Sequence, residues 1–205
     1  SIKPILVYTP LFERGYTPDS IVKDTAIENG PVNSPNVYSG SITLRYAVKT
    51  SKNTIAWKYF EEMGYDTCID YLLKMGFTNI VKDDYTPAMS IGGMTYGAST
   101  YEMAYAFSTL ENQGVFRNPT CIKRIEDSFG NVVLENGKNE TGSVKIYDAN
   151  ATLMMTDTMK DVLISGTGKN YNIDNAICAA KTGTTNDNKD SWLVGYSKYY
   201  TTAVW

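Results

Sequence analysis

The segment Lys181-Thr182-Gly183-Thr184 combines a cation, two hydroxyls and a glycine directly after the short apolar run Ile177-Cys178-Ala179-Ala180. A lysine ammonium and threonine hydroxyls could bind a peptide carboxylate. Gly183 has no Cβ, so a substrate backbone could approach the chain closely at that position. A strand that runs into a polar turn would have the same residues. This segment alone therefore leaves both interpretations open.

A second polar group, Ser51-Lys52-Asn53, interrupts a stretch of apolar residues at helical spacing that extends from about Thr43 to Met63. Serine and asparagine are unfavourable inside helices because their side chains compete for the backbone hydrogen bonds. The segment could therefore be a short turn that directs a hydroxyl and an amide into a cleft. It could equally be the solvated face of a locally kinked helix.

Lys3 lies at the start of the chain, just before the helical pattern of residues 4–14. A lysine that is desolvated, or that lies near another lysine, has a lowered pKa and can act as a base. On a helix it would share a face with the residue three positions earlier, which is the residue before Ser1. Ser1 itself is only two positions away and points to another side. Taken alone, Lys3 could also be a solvated lysine at a frayed chain end.

The 205-residue chain contains no histidine, which excludes Ser-His-Asp catalysis, Cys-His catalysis and His-dependent zinc sites within it. A base would have to be a lysine, a carboxylate or a tyrosine. The three cysteines are widely spaced and form no Cys-x-x-Cys motif. We therefore expect neither a metal nor another cofactor.

Charge and composition exclude several classes of partner. The formal net charge is −3 and no run of basic residues is present, so we expect no nucleic-acid partner. No apolar run approaches the roughly 18 residues needed to cross a bilayer. The segment Ser165-Gly166-Thr167-Gly168-Lys169 looks like a phosphate loop, but it lacks the earlier glycine and has Asn170 after the lysine. We reject nucleotide binding on these grounds.

The elements that must position these residues are helices in the first part of the chain and strands in the last part. The pattern predicts helices over 4–14, 43–63, 67–75, 100–113 and 149–163. Ser99 and Glu102 are spaced to form a capping box at the start of the fourth of these helices. The pattern also predicts short strands over 121–125 and 132–135, which would form a hairpin, and over 176–182, 192–196 and from Thr201 onward. Residues 16–41 and 77–98 are predicted to be loop or irregular, and 136–147 a polar surface excursion. This order is typical of an α+β domain, an antiparallel sheet flanked by helices.

Taken in order, these segments resemble the penicillin-binding proteins, specifically the transpeptidase domain of the bifunctional (class A) type. The superfamily has a Ser-x-x-Lys, Ser-x-Asn and Lys-Thr-Gly set, of which Ser51-Lys52-Asn53 and Lys181-Thr182-Gly183 are the second and third motifs here. Four further segments resemble the family's flanking sequences in the same order, at 43–47, 97–104, 166–169 and 190–205. The resemblance implies a penicillin-binding transpeptidase-like fold.

The resemblance also implies the catalytic residues. The family's first motif would place the nucleophilic serine immediately before Ser1, and Ser1 at a variable position of that motif. Lys3 would then be the base for the serine, Ser51 would relay protons to the leaving amine, and Lys181 would lie close to both. We accordingly expect residues 1–205 to be one transpeptidase domain, cut just after its nucleophile and within a strand.

The implied substrate is a peptidoglycan stem peptide that ends in D-Ala-D-Ala, and β-lactams would mimic it. Asn53 would bind the substrate amide, and Thr182, Gly183 and Thr184 would bind near its terminal carboxylate, with the Thr184 N–H in an oxyanion hole. The family further implies an upstream glycosyltransferase domain and a membrane anchor. These would place the domain on the outer face of the bacterial cytoplasmic membrane.

Other activities on the same fold stay open at this point. A serine β-lactamase is disfavoured because the chain has no Glu-x-x-Leu-Asn segment of the class A lactamase type. A D,D-carboxypeptidase, which uses water instead of an amine as acceptor, has no distinguishing signature in this sequence. A non-catalytic sensor or scaffold that binds β-lactams is a third possibility, although intact second and third motifs argue against it.

Overall fold

The computed structural model describes residues 1–136, 143–185 and 189–205. Helices pack on a three-stranded antiparallel sheet near the C-terminus, so the α+β class predicted from the sequence is confirmed. Within the described ranges, no helix is both long enough and apolar enough to cross a membrane.

The first segment of the chain forms a helix that is buried along its whole length. A π-helical turn, Pro4–Tyr8, continues into helix α1 (Thr9–Glu13). The side chains from Ile5 to Tyr8 are inaccessible to solvent. A helix that is apolar on all sides belongs in a core, because no face favours water. The segment ends before Gly15, whose φ of +93° lies in the left-handed region.

The region predicted as one helix over 43–63 is two helices, α2 (Leu44–Lys49) and α3 (Asn53–Met63). The break occurs at Ser51, which has a φ of +57° and so cannot continue a right-handed helix. The single helix was therefore a wrong prediction, and the turn interpretation of Ser51-Lys52-Asn53 is confirmed. The hydroxyl of Thr43 caps α2 by accepting a hydrogen bond from the Tyr46 N–H.

The region predicted as loop over 16–41 contains part of a small sheet. Strand β1 (Ile21–Asp24) pairs antiparallel with β2 (Gly40–Thr43), and Val22 and Asp24 of β1 point inward. The sequence did not reveal these strands because each has four residues and the segment that joins them is rich in Pro, Asn and Ser. The loop between β1 and β2 lies against the turn between α2 and α3, where the Asn33 side-chain oxygen accepts a hydrogen bond from the Asn53 N–H.

Helix α4 (Tyr65–Lys74) and helix α5 (Thr100–Glu111) follow the predicted positions. The segment between them, predicted to be irregular, contains two short 3₁₀ turns. Ser99 and Glu102 form a reciprocal capping box at the start of α5, because the Ser99 hydroxyl accepts from the Glu102 N–H and the Glu102 carboxylate accepts from the Ser99 N–H. This confirms the predicted cap.

Two strand pairs lie between α5 and the last helix. Strands β4 (Arg124–Glu126) and β5 (Val132–Glu135) form the predicted hairpin. Strands β3 (Val115–Phe116) and β6 (Val144–Lys145) form a pair that was not predicted. Of the predicted surface excursion, residues 137–142 lie outside the described residues. The end of that segment is not at the surface, because Tyr147 is buried and its hydroxyl donates to the Ile5 carbonyl oxygen over 2.6 Å.

The C-terminal sheet has the strand order β7 (Ala179–Thr184), β8 (Ser191–Tyr196) and β9 (Thr201–Val204), all antiparallel. Helix α6 (Ala149–Ser165) packs against β7, and α5 packs against β8 and β9. Strand β7 therefore lies between a helix and its neighbouring strand, which buries its first three residues completely. Lys181 is the third of them.

Candidate active site

Lys3 is buried just before the N-terminal helix, and its ammonium faces the turn between α2 and α3. Its Nζ atom lies 2.7 Å from the Ser51 carbonyl oxygen, 3.3 Å from the Lys52 carbonyl oxygen and 2.5 Å from Asn53 Oδ1. The Ser51 hydroxyl lies 3.3 Å from the same nitrogen. These four oxygens are all neutral groups, so their dipoles hold the amine without a compensating charge.

Lys181 approaches the same turn from the sheet. Its side chain is fully buried, and its Nζ donates to the Ser51 hydroxyl over 2.9 Å and to the Thr182 carbonyl oxygen over 2.9 Å. Burial disfavours the charged form and lowers the pKa of Lys181 to about 7. The Lys181 ammonium therefore gives up its proton more readily than that of an exposed lysine.

The pKa of Lys3 is also lowered, well below its ordinary value. Burial is the larger cause, and the positive charge of Lys181 is the second cause. Like-charge repulsion between the two lysines is thus present, but it is secondary to desolvation. A neutral Lys3 amine has a lone pair and can accept a proton from a hydroxyl in hydrogen-bond range.

Ser51 is the residue on which both lysines converge. Its hydroxyl oxygen is 3.3 Å from Lys3 Nζ and 2.9 Å from Lys181 Nζ. Its left-handed backbone is uncommon for a residue with a side chain, and such conformations cluster at functional sites. The turn between α2 and α3 therefore places this hydroxyl where a right-handed helical residue could not.

A cleft of about 590 Å³ opens above these residues. Its floor includes Lys3, Ser51 and Asn53, and one wall is the end of β7 and the residues after it, 182–185. Residues of the segment 91–100 and two tryptophans, Trp192 and Trp205, also line the cleft. All but one of the predicted site residues line this cleft: Lys3, Ser51, Asn53, Thr182, Gly183 and Thr184. Lys181 lies beneath its floor.

Gly183 lies in direct contact with the start of the chain. A Cβ atom built at Gly183 would be 2.4 Å from the Ser1 backbone nitrogen and 2.8 Å from the Ser1 hydroxyl. No side chain can occupy that space, so only glycine fits at this position. The close approach that the sequence led us to expect from a substrate backbone is made here by the chain's own first residue.

Thr182 has a partner that the sequence did not indicate. Its hydroxyl shares a hydrogen bond of 2.6 Å with the hydroxyl of Thr167, in the segment after α6. The Thr167 N–H donates to the Lys49 carbonyl oxygen over 3.2 Å, and a Cβ at Gly166 would be only 2.6 Å from that oxygen. The segment 166–169 already resembles the family in sequence, but the contact between Thr167 and Thr182 follows only from the fold.

The whole chain is similar to known proteins. The family model described as the penicillin-binding protein transpeptidase domain matches residues 1–205. Penicillin-binding protein 1A/1B of Bacillus subtilis (strain 168) is 35% identical over 226 residues, covering the whole chain and 24% of that protein. Penicillin-binding protein 4 of the same strain is 32% identical, covering the whole chain and 33% of that protein. The chain spans about a quarter to a third of the length of these two relatives.

Solved structures agree with the fold. The penicillin-binding protein PonA1 from Mycobacterium tuberculosis has a TM-score of 0.83 at 22% identity, over 98% of this chain and 58% of that one. Penicillin-binding protein 1A from Haemophilus influenzae has a TM-score of 0.80 at 23% identity, over 99% of this chain and 36% of that one. The predicted fold is confirmed. Together with the match of the family model over the full length, these findings place the chain in the penicillin-binding protein transpeptidase domain family.

Proposed function

We propose that this chain is the acyl-transfer domain of a peptidoglycan D,D-transpeptidase. The observation that carries the proposal is the convergence of two buried lysines with lowered pKa values on one serine hydroxyl, at the floor of an open cleft. Buried groups with strongly perturbed pKa values in a cleft are candidates for general acid–base catalysis. The family to which the chain belongs supports the same chemistry.

In the proposed reaction the nucleophile is a serine immediately before Ser1, one helical turn from Lys3. Its hydroxyl oxygen attacks the carbonyl carbon of the penultimate D-Ala while the Lys3 amine takes its proton. The C–N bond then breaks, the Ser51 hydroxyl passes its proton to the departing D-Ala amine, and Lys3 returns the proton that it took to Ser51. The amine of a second stem peptide gives a proton to Lys3 as it attacks the ester, the C–O bond breaks, and that proton passes from Lys3 to the serine oxygen.

The cleft residues have hydrogen-bonding capacity that suits a D-Ala-D-Ala end. The Asn53 side-chain amide donates one hydrogen to the Val32 carbonyl oxygen, and its oxygen accepts one hydrogen bond from Lys3. It retains a second hydrogen and a second lone pair for a substrate amide. Thr182 and Thr184 lie along the wall where the terminal carboxylate would bind. β-Lactams would acylate the same serine as mimics of this substrate.

We propose the remaining context on the basis of the relatives. A glycosyltransferase domain and a membrane anchor would precede this domain in the whole protein and hold it on the outer face of the cytoplasmic membrane. Stem peptides of peptidoglycan would be both donor and acceptor. No metal or other cofactor enters any step of the proposed reaction.

The test is the intact mass of the chain, expressed with the native residues that precede Ser1, after incubation with penicillin. We expect a stable adduct that maps to the residue before Ser1. A folded protein that forms no adduct would contradict the proposal and favour a sensor or scaffold without catalysis.

Product analysis with a D-Ala-D-Ala pentapeptide then separates the remaining activities. Transfer to an added D-amino acid or stem-peptide amine indicates a transpeptidase, whereas release of the tetrapeptide acid alone indicates a carboxypeptidase. Rapid loss of the penicillin adduct would indicate a β-lactamase-like hydrolase.

A further inference from the structure

A buried ion pair lies directly behind the Ser51 turn. Lys52 Nζ is 2.8 Å from Asp24 Oδ2, and the side chains of both residues are almost completely buried. Neither residue is among the described residues that line the cleft. A buried ion pair often adds little net stability, because both charges lose their hydration. Its place directly behind the Ser51 turn therefore points to a role in addition to stability.

The carboxylate of Asp24 accepts hydrogen bonds from three further groups. The Thr54 hydroxyl donates over 2.6 Å, the Asn33 side-chain amide over 2.8 Å and the Ser39 N–H over 2.9 Å. Thr54 belongs to the first turn of α3, whereas Asn33 and Ser39 belong to the loop between β1 and β2. One carboxylate thus connects the loop to the helix that begins at Asn53.

Asn33 makes the second connection between the same two segments. Its side-chain oxygen accepts a hydrogen bond of 2.8 Å from the Asn53 N–H, while its amide donates to Asp24. The Lys52 ammonium also donates to the Val37 carbonyl oxygen over 2.8 Å. Residues 52, 53 and 54, which directly follow Ser51, are therefore each held by the loop or by Asp24.

These contacts explain how Ser51 keeps its left-handed backbone conformation. A left-handed conformation of a residue with a side chain persists only where the surrounding structure imposes it. The fixed Lys52 and Asn53 define the end of the turn, and α2 defines its beginning. With both ends fixed, the Ser51 hydroxyl is held between the two lysine amines and Asn53 Oδ1 is held against Lys3.

We infer that Asp24, Asn33 and Lys52 are positioning residues for acylation, which act through Ser51 and Asn53 without touching the substrate. This inference rests on the proposed function. Asp24 is the central group, because it contacts Lys52, Thr54 and Asn33 at once. Displacement of a catalytic group by about 1 Å can lower a rate by about 100-fold. Loss of the carboxylate is therefore expected to slow acylation even where the fold survives.

The test uses the chain with the native residues before Ser1 and measures its acylation by a fluorescent penicillin. Rates at several penicillin concentrations separate the acylation rate constant from the dissociation constant of the non-covalent penicillin complex. In Asp24→Asn, which conserves shape and removes the charge, we expect the rate constant to fall about 10- to 100-fold. The double variant Asp24→Asn/Lys52→Gln restores a neutral hydrogen-bonded pair. It is expected to recover most of that loss, which a general weakening of the fold would not do.

Ile69→Val is the matched control, since Ile69 is a buried residue of α4 that lies apart from the cleft lining. It should lower the melting temperature slightly and leave the acylation rate constant unchanged. If Asp24→Asn does not fold, Thr54→Val removes one donor to Asp24 and keeps the ion pair. It is expected to lower the rate constant about threefold or more.

The outcomes separate the inference from the proposed function. If the wild-type chain forms no acyl-enzyme, the proposed function fails and the inference fails with it. If the wild type is acylated and folded Asp24→Asn is acylated at the same rate, the positioning role is wrong and the proposed function stands. The positioning role would also be wrong if the acylation rate constant fell in both Asp24→Asn and Ile69→Val and the double variant did not recover it.

Discussion

Lys181 donates a hydrogen bond to the hydroxyl of Ser51 over 2.9 Å, although 130 positions separate the two residues in the chain. Strand β7 supplies the lysine and the turn between α2 and α3 supplies the serine. The contact therefore exists only when the sheet and the helical part of the domain are assembled.

Replacement of Lys3 by methionine should abolish most of the acylation by penicillin. Methionine conserves much of the side-chain volume but has no lone-pair nitrogen to accept the serine proton. Loss of a general base typically lowers a rate by about 10²- to 10⁴-fold. Lys74→Met serves as the control, because Lys74 is an exposed lysine paired with Asp70 on the surface of α4. A time course of intact mass would show the difference, and an unchanged rate in Lys3→Met would contradict the role of Lys3 as base.

Replacement of Lys181 by methionine should shift the acid limb of the pH–acylation profile to higher pH. The wild-type rate should fall as pH drops, because protonation removes the lone pair of Lys3. The Lys181 charge helps to lower the pKa of Lys3, so its removal lets that pKa rise. The residual acylation of Lys181→Met, measured between about pH 5 and pH 10, should therefore need a higher pH to reach its plateau. An acid limb that moves to lower pH would be inconsistent with this electrostatic relationship.

Ser51→Ala and Ser51→Gly should be equally inactive but differ in stability. Both variants lose the hydroxyl that contacts the two lysines, so proton transfer to the leaving amine is impaired in each. Glycine adopts the left-handed backbone of this position without strain, whereas alanine does not. The free energy of unfolding should therefore be higher for Ser51→Gly by about 1 kcal/mol. Urea denaturation measures the difference, and equal stabilities would argue against strain at Ser51.

Asp24 should make unfolding sensitive to acid. Burial acts to raise the pKa of its carboxyl, but the hydrogen bonds from Lys52, Thr54, Ser39 and Asn33 outweigh it and lower the pKa from 3.8 to about 2. Since the folded value lies below the unfolded one, this stabilisation is present above about pH 4 and is lost as the pH falls toward 2. It amounts to about 2 kcal/mol. Urea denaturation from pH 5 to pH 2 should show this loss in the wild type and a smaller one in Asp24→Asn.

Local patterns were enough to predict several elements of the fold. The capping box of Ser99 and Glu102 depends on residues three positions apart, and the apolar run before Lys181 is continuous in sequence. Such elements need no distant partner for their recognition. Strands β1 and β2 were missed for the opposite reason, because each has only four residues and is recognised only from its pairing with the other.

In the candidate site, too, some features follow from local sequence and others only from the fold. The sequence alone restricted the chemistry to a serine–lysine site. The residues of the second and third motifs and the absence of histidine were enough for this, because the chemistry that a side chain can perform follows from its type. Only the tertiary structure decided the protonation of those lysines. Burial lowers the pKa of both lysines, and the charge of Lys181 lowers that of Lys3 further. Both effects arise from the packing of β7 and the N-terminal helix around the Ser51 turn.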